Sequence, residues 1–254
     1  MKIQSADYRI FPTTFLQNTV VSIVHQSFLN RAGDSATVIE AMNRFFLDNF
    51  QINFGVKDTN NTFTLSNNEA DMGYMFTPTS SMLKVGRSEY KSFKASLMPH
   101  FFTLKDYVYT VLGVKSAETL RVRKVNMFPV KVDNEPTEAV WHSLREYLFV
   151  KELFDFPVED VMEPAPQNAV GAFEKRIIRD DDTTFLIRTG ITRMANDEHG
   201  YNAVLDISSS SLATEEGIIE EEAERMAIHL NKRLFDLFNF AVSDELKKIL
   251  ETEK

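Results

Sequence analysis

The sequence predicts an α+β protein with mainly antiparallel sheets in two related halves, each covered by helices. Three observations support this class. Short segments rich in β-branched and aromatic residues alternate with polar turns. The connections between them are mostly too short for the crossover that parallel strands need. A long amphipathic helix is predicted near the C-terminus, over about residues 215–240.

The first half begins with a β-branched strand over residues 18–25, followed by a helix that Ser35 caps and that ends near Phe50. A meander comes next, because short polar connections favour hairpins. Its strands are predicted over residues 52–56, 63–65, 72–76, 82–85 and 90–95. Thr103 is predicted to cap a helix that stops at Gly113. The strand over 120–128 is expected to end at Pro129.

The polar segment 133–137 is the predicted internal boundary, which gives an N-terminal half 1–132 and a C-terminal half 133–254. One continuous domain is the alternative. A helix is predicted over 139–150, and the proline-containing acidic segment after it is expected to be irregular. Strands follow over 169–178, 184–193 and 201–207. Thr214 is the expected N-cap of the long helix, and a short helix over 246–250 closes the chain.

Composition excludes several classes of protein. Without cysteine there are no disulfides, thiolate zinc sites or Cys nucleophiles. The net charge of −9 argues against bulk nucleic-acid binding. The N-terminus lacks the apolar core of a signal peptide, and no apolar run reaches the roughly 18 residues that span a bilayer. The sequence therefore predicts a cytoplasmic protein that does not bind membranes.

No motif in the sequence indicates catalysis, a cofactor or a metal. The five His form no His-x-x-x-His pair, and the Gly patterns of nucleotide-binding loops are missing. Asp180-Asp181-Asp182 could bind a hard cation, but a solvated hairpin turn is the favoured interpretation. The serine run 208–211 is interpreted as a flexible connection and helix cap rather than as a nucleophile.

The best candidate for a ligand site is a set of charged and polar residues on predicted strands. Arg121 and Arg123 share one strand face, and the strand that holds Asp206 is otherwise apolar. If these strands are neighbours, several guanidinium groups could bind a carboxylate or phosphate. The alternative is a charged solvent face, or Arg side chains paired with Asp206 or Glu174. The predicted ligand-binding residues are Arg121, Arg123, Asn126, Arg188 and Asp206.

The long helix and the 21 Phe could serve a core or a contact surface. The apolar stripe of the helix is more typical of a core. However, its length and the spread of Phe around it suggest that part of it contacts a second chain, so a homodimer is a hypothesis. The predicted partner interface contains Leu230, Leu234, Phe235 and Phe238.

Four segments carry a resemblance to a family. They are Arg121–Asn126, Val204–Ile207, His229–Phe238 and Ser243–Leu246. The chain resembles a sporadically distributed family of uncharacterised prokaryotic proteins of similar length, with an Arg-rich central strand, a Leu-Asp-Ile strand and a long final helix. The resemblance implies this architecture, and it implies no activity, cofactor or partner.

Three functions remain open at this point. The first is a non-enzymatic interaction or accessory protein that binds another protein or itself, and it is favoured because catalytic motifs are missing. The second is a binder of a small anionic or nucleotide-like ligand through the sheet arginines. The third is a metal-assisted hydrolase or nuclease built from dispersed acidic residues, which would leave no spacing signature in the sequence.

Overall fold

The computed structural model describes residues 3–4, 14–27, 35–49, 54–59, 62–67, 69–131, 144–162, 173–180, 182–194 and 200–252. The helices are α1 (Ser35–Asn49), α2 (Met98–Asp106), α3 (described over 144–148), α4 (Glu220–Ala241) and α5 (Asp244–Glu251). Wider π-type turns, Phe93–Leu97 and Tyr107–Val111, extend α2 at its two ends. A 3₁₀ turn covers Lys151–Asp155.

The described chain also contains ten strands. They are β1 (Leu16–Val24), β2 (Phe54–Thr59), β3 (Thr62–Asn67), β4 (Met72–Thr77), β5 (Ser80–Gly86), β6 (Thr119–Lys131), β7 (Val158–Met162), β8 (Phe173–Asp180), β9 (Thr183–Arg193) and β10 (Gly200–Ser211). The pairs with a defined register, such as β4 with β5 and β8 with β9, are antiparallel. The predicted α+β class, with antiparallel sheet and a long C-terminal helix, is confirmed.

The chain forms two compact units, and each is built from separate stretches of sequence. Unit 1 contains Met1–Gln17, Arg123–Ser209 and Lys232–Lys254, and unit 2 contains Asn18–Val122 and Ser210–Asn231. In unit 2 the strand order is β2-β3-β4-β5-β1, followed by the first residues of β6. In unit 1 the order runs from β6 through β10, β9 and β8 to β7. The predicted boundary at 133–137 lies outside the described residues, so the two-half division stays a prediction.

Aromatic side chains fill the core of unit 2. Phe46 of α1 stacks on Tyr107 with ring centroids 5.7 Å apart, and Phe76 of β4 lies 4.2 Å from the same ring. Burial raises the pKa of the Tyr107 hydroxyl. This cluster attaches α1 and the end of α2 to the sheet through rings that need few polar partners. For these Phe residues, the core interpretation of the aromatic composition is therefore correct.

The core of unit 1 lies between its strands and the C-terminal helices. Leu234, Leu237 and Ala241 of α4 are fully buried, as are Ile187 and Leu205 on β9 and β10. α5 begins at the predicted cap, because the Ser243 hydroxyl accepts a hydrogen bond from the Leu246 amide at 3.1 Å. The apolar stripe of the long helix is thus mainly core.

Three predictions in the first half are wrong. Residues 90–95 were expected to be a strand, but Phe93–Leu97 are helical because Ser92 caps them and accepts the Ala95 amide at 3.0 Å. Thr103 does not start a helix, since α2 already begins at Met98. β6 also continues past Pro129, where the ring is exposed and its missing N–H costs little.

The second half also departs from the prediction. β7 was not expected, because Pro157 and the acidic residues after it resemble a loop. Ser208–Ser211 are not a flexible connection but the end of β10. α4 starts at Glu220 and not near Thr214, because Gly217 adopts a positive φ of 69° that interrupts helical geometry. The Thr214 hydroxyl instead accepts the Gly217 amide at 3.1 Å.

Candidate functional site

The strongest charged contact on the sheet joins two adjacent strands of unit 1. Arg123 of β6 donates from Nε to Asp206 Oδ1 and from Nη2 to Asp206 Oδ2, both at 2.7 Å. The Asp206 side chain on β10 is only 8% exposed. Hydrogen bonding of Arg123 to the Asp206 carboxylate raises the pKa of the guanidinium, and burial opposes this change. The fork of Arg123 therefore already holds a carboxylate of the chain itself.

Arg188 of β9 approaches the same carboxylate from the other side. Its Nη1 lies 3.5 Å from Asp206 Oδ2, which makes a weak hydrogen bond. Its Nε is buried and has no hydrogen-bond partner among the described residues. Lys175 of β8 is directly opposite Arg188 in the strand register. Three cations thus share this face with the carboxylate of Asp206, and Arg188 keeps unused donors.

The other two predicted ligand residues do not join this cluster. Arg121 belongs to unit 2, where it is exposed and its Nε donates to Ser210 Oγ at 2.9 Å. Asn126 is 6% exposed and, by strand alternation, points to the face of β6 opposite Arg123. The structure therefore assembles Arg123, Arg188 and Asp206 from the predicted set.

Lys124 lies beside Arg123 in sequence but on the opposite face of β6. The residue is half-buried, and burial lowers its pKa from 10.5 to about 8. Between these two pH values the unfolded chain binds a proton that the folded chain does not bind. The free energy of unfolding therefore rises as the pH rises from about 8 to about 10.5.

We expect the Lys124→Met variant to be more stable than the parent protein at pH 7. The gain should be about 1–3 kcal/mol, because the charged ammonium is no longer desolvated. The rise of stability above pH 8 should also become weaker. Urea unfolding followed at several pH values between 7 and 10.5 measures both effects. Equal stability and an unchanged pH profile would contradict this explanation.

The predicted partner interface on the long helix lies largely inside the protein. Leu230 and Leu234 are fully buried, and Phe235 is 7% exposed. Phe238 is half-buried. Side chains in such positions stabilise the chain's own core and have little surface for a second molecule.

Unit 2 contains a groove that the sequence analysis did not identify. It has a volume of about 510 Å³ and lies between α1 and the end of α2 with the turn after it. Ala41, Phe45 and Val111 contribute apolar surface to its lining. Phe45 is held in place by its ring contact with Tyr107, whose centroid is 5.3 Å away. The groove thus has an apolar part that is fixed by the aromatic core.

The remaining lining of the groove is mainly acidic. Glu40 and Asp48 come from α1, and Asp106 comes from the last residue of α2. Arg44 is the one basic residue, and its contact with Glu40 is 3.7 Å long between highly exposed side chains. Such exposed pairs are weak, so the acidic character of the groove remains. The spacing of Glu40, Arg44 and Asp48 at four-residue steps is the sequence signal that could have indicated this face.

Exposed apolar side chains lie on the same two helices. Leu47 of α1 is 64% exposed and is adjacent in sequence to Asp48. Phe102 of α2 is 43% exposed, four residues before Asp106 and therefore on the same helix face. Neither residue lines the groove, and both add apolar surface to the helices that form it.

No metal centre is found in the described part of the chain, which contains no group of three or more His, Asp or Glu side chains placed to bind an ion. Asp180, one of the three aspartates considered for a cation, pairs with Arg233, which donates a hydrogen bond to its carboxylate. Within the described residues, no helix combines the length and apolar character needed to cross a bilayer.

Known proteins show only weak similarity to this chain. No protein-family model matches the sequence, and no curated protein matches it. One solved structure with some similarity is a rolling circle replication initiator protein from Geobacillus stearothermophilus, with 9% identity over 90% of this chain and 84% of that chain, at a TM-score of 0.29. Another is the Methanococcus jannaschii TBP, with 14% identity over 88% of this chain and 97% of that chain, at a TM-score of 0.25. Both scores are below 0.5, so neither similarity supports a conclusion about fold or function.

Proposed function

We propose that this chain is a non-enzymatic interaction protein and that it binds a basic, partly apolar segment of another protein in the groove of unit 2. The observation that supports this proposal is the combination of an apolar lining with three acidic side chains and one basic one. Lys and Arg side chains of a partner would meet Glu40, Asp48 and Asp106, and its apolar residues would contact Phe45 and its neighbours. The net charge of −9 would also attract a basic partner.

Charge reversal in the groove tests this proposal. We expect the Asp48→Lys/Asp106→Lys variant to bind the partner with an affinity at least tenfold lower than that of the parent protein, because like charges would then face each other. The immobilised protein is used to capture proteins from the extract of its host. The captured partner is then purified, and its dissociation constant is measured at low and high salt.

A matched control keeps the change in net charge and moves it to another surface. Glu221 and Glu224 are exposed on α4, so the Glu221→Lys/Glu224→Lys variant should bind the partner as the parent protein does. Equal retention of the partner by the parent protein and the groove variant would refute the proposal. The same conclusion would follow if no protein were retained by the parent above the level of the groove variant.

A second candidate is the binding of a small anionic or nucleotide-like ligand at the sheet arginines. It is supported by the unused Nε of Arg188 and by the excess of cations over the Asp206 carboxylate. Nucleotides would then raise the melting temperature of the parent protein but not that of the Arg188→Gln variant. No rise across a panel of nucleotides would remove this candidate.

A further inference from the structure

A second arginine cluster in unit 1 is built around β8 and is separate from the groove and from Asp206. Arg176 of β8 has a side chain that is only 3% exposed. Its Nη2 donates to Glu174 Oε2 at 2.6 Å, and its Nε donates to the carbonyl of Phe156 at 3.3 Å. These two bonds fix the plane and the position of the buried guanidinium.

Arg145 of α3 brings a second guanidinium to the same carboxylate oxygen. Its Nη1 lies 3.8 Å from Glu174 Oε2, and its side chain is 17% exposed. Both guanidinium groups also lie near the ring of Phe154, with their Cζ atoms 4.4 Å and 5.1 Å from its centroid. The ring and the carboxylate therefore hold two cations close together.

The charges and hydrogen bonds of this cluster do not balance. Two guanidinium groups share the single carboxylate of Glu174. Arg145 Nε and Arg176 Nη1 are buried, and neither has a hydrogen-bond partner in the part of the chain that the structure describes. A buried donor without a partner is costly, and a buried positive charge without a counter-ion is more so. Each such group in a native protein calls for a partner, such as water or an ion.

We propose that Arg145 and Arg176 bind an oxyanion, a carboxylate or a phosphate, beside Glu174. Among the described residues, the buried atoms of the cluster that lack a partner are both N–H donors, so a negatively charged acceptor fits them and a cation does not. Guanidinium groups bind the oxygens of carboxylates and phosphates in pairs, and here two forks are available. Water could accept the two hydrogen bonds, but it would leave the excess positive charge. The ligand reaches the cluster on the side where Arg145 and Glu174 are in part exposed, by 17% and 27%.

The test measures thermal unfolding of the full chain with sodium phosphate and, in a second arm, with sodium malonate, at constant ionic strength kept with NaCl. At 100 times the dissociation constant we expect the melting temperature of the parent protein to rise by about 5–10 °C in at least one arm. A response to phosphate alone indicates a phosphate-bearing ligand, and a response to malonate alone indicates a carboxylate. No rise in either arm would overturn the proposal.

Variants then place the effect at this cluster. Arg145→Gln should lose most of the rise, and its partly exposed position makes it a safer change than replacement of the buried Arg176. Glu174→Gln should instead enlarge the rise, because both guanidinium groups then depend on the added anion. Arg225→Gln is the control, because Arg225 is 82% exposed on α4 and belongs to neither arginine cluster, and it should respond as the parent protein does. An unchanged rise in Arg145→Gln would show that the anion binds elsewhere, and the proposal would fail.

Discussion

Replacing Arg233 by Met is expected to lower the free energy of unfolding by about 3–5 kcal/mol. Arg233 of α4 donates to Asp180 at the end of β8 and, at 3.1 Å, to Asp236 on its own helix. The side chains of Asp180 and Asp236 are 6% and 1% exposed. Loss of the guanidinium would leave these two buried carboxylates without the cation that they share. Urea unfolding followed by circular dichroism measures the difference.

The same helix provides a matched control. Arg225 is 82% exposed and contacts Glu222 at 3.2 Å, three residues away. Because both side chains of this pair reach solvent, Arg225→Met should change stability by about 0.5 kcal/mol or less. If the two variants lost similar amounts of stability, the buried network around Arg233 would not be the cause of the larger effect.

The second large effect is expected for Arg123→Met, with a loss of about 2–4 kcal/mol. The variant removes both 2.7 Å hydrogen bonds to Asp206 and leaves this buried carboxylate with the weaker contact to Arg188. Arg121→Met is the control on the same strand, since Arg121 is exposed and makes one hydrogen bond to Ser210. It should lose less than about 1 kcal/mol. Chemical unfolding of the two variants side by side gives the comparison.

A double variant shows whether Arg123 and Asp206 are a structural pair. In Arg123→Met/Asp206→Met the buried carboxylate is removed together with Arg123, and Arg188, which is 29% exposed, loses only a weak 3.5 Å contact, so stability should recover most of what Arg123→Met loses. A double variant less stable than the single one by a further 2 kcal/mol or more would mean that Asp206 stabilises the fold mainly through Arg188 or other contacts.

The pairing of Arg123 with Asp206 was open to prediction only in part. The sequence shows Asp206 in an otherwise apolar strand and Arg121 and Arg123 on one face of another strand. Pairing of these arginines with Asp206 was therefore one of the alternatives. The sequence does not show that β6 and β10, 83 positions apart at these two residues, are neighbours in the sheet. Without the strand order, the same guanidinium groups could be assigned either to binding an external anion or to pairing with Asp206.

Local sequence signals predicted the structure best where a single interaction, such as a helix cap, determines it. The last helix begins after Ser243 as predicted, because the Ser243 hydroxyl accepts the Leu246 amide three residues on, and α1 begins at Ser35, near its predicted start. The strand prediction for 90–95 failed because the same residues also suit a helical turn that Ser92 caps and that buries Phe93 and Leu97 one turn apart. β7 could not be predicted from its own residues, because pairing with β8 through an irregular register makes it a strand.

The groove and the Arg145 cluster were missed for a related reason. Each combines residues from separate elements, such as Asp48 of α1 with Asp106 of α2, and single-sequence periodicity reports one element at a time. The phenylalanine content did predict an aromatic core, since Phe has no polar atom and contributes large buried area. It did not show which Phe, such as Phe102, would stay on the surface.

The interleaved composition of the two units has a consequence for biosynthesis. Unit 2 needs Ser210–Asn231 to complete Asn18–Val122, and unit 1 combines Met1–Gln17 and Arg123–Ser209 with Lys232–Lys254. A ribosome releases the chain from its N-terminus, so neither unit can be finished before most of the polypeptide has emerged. The sheet strands β2 to β5, most of β1, and the rings of Phe46, Phe76 and Tyr107 all lie within Asn18–Val122, so this part of unit 2 is available early in synthesis. Completion of both units is expected to follow only after residues 210–254 have left the ribosome.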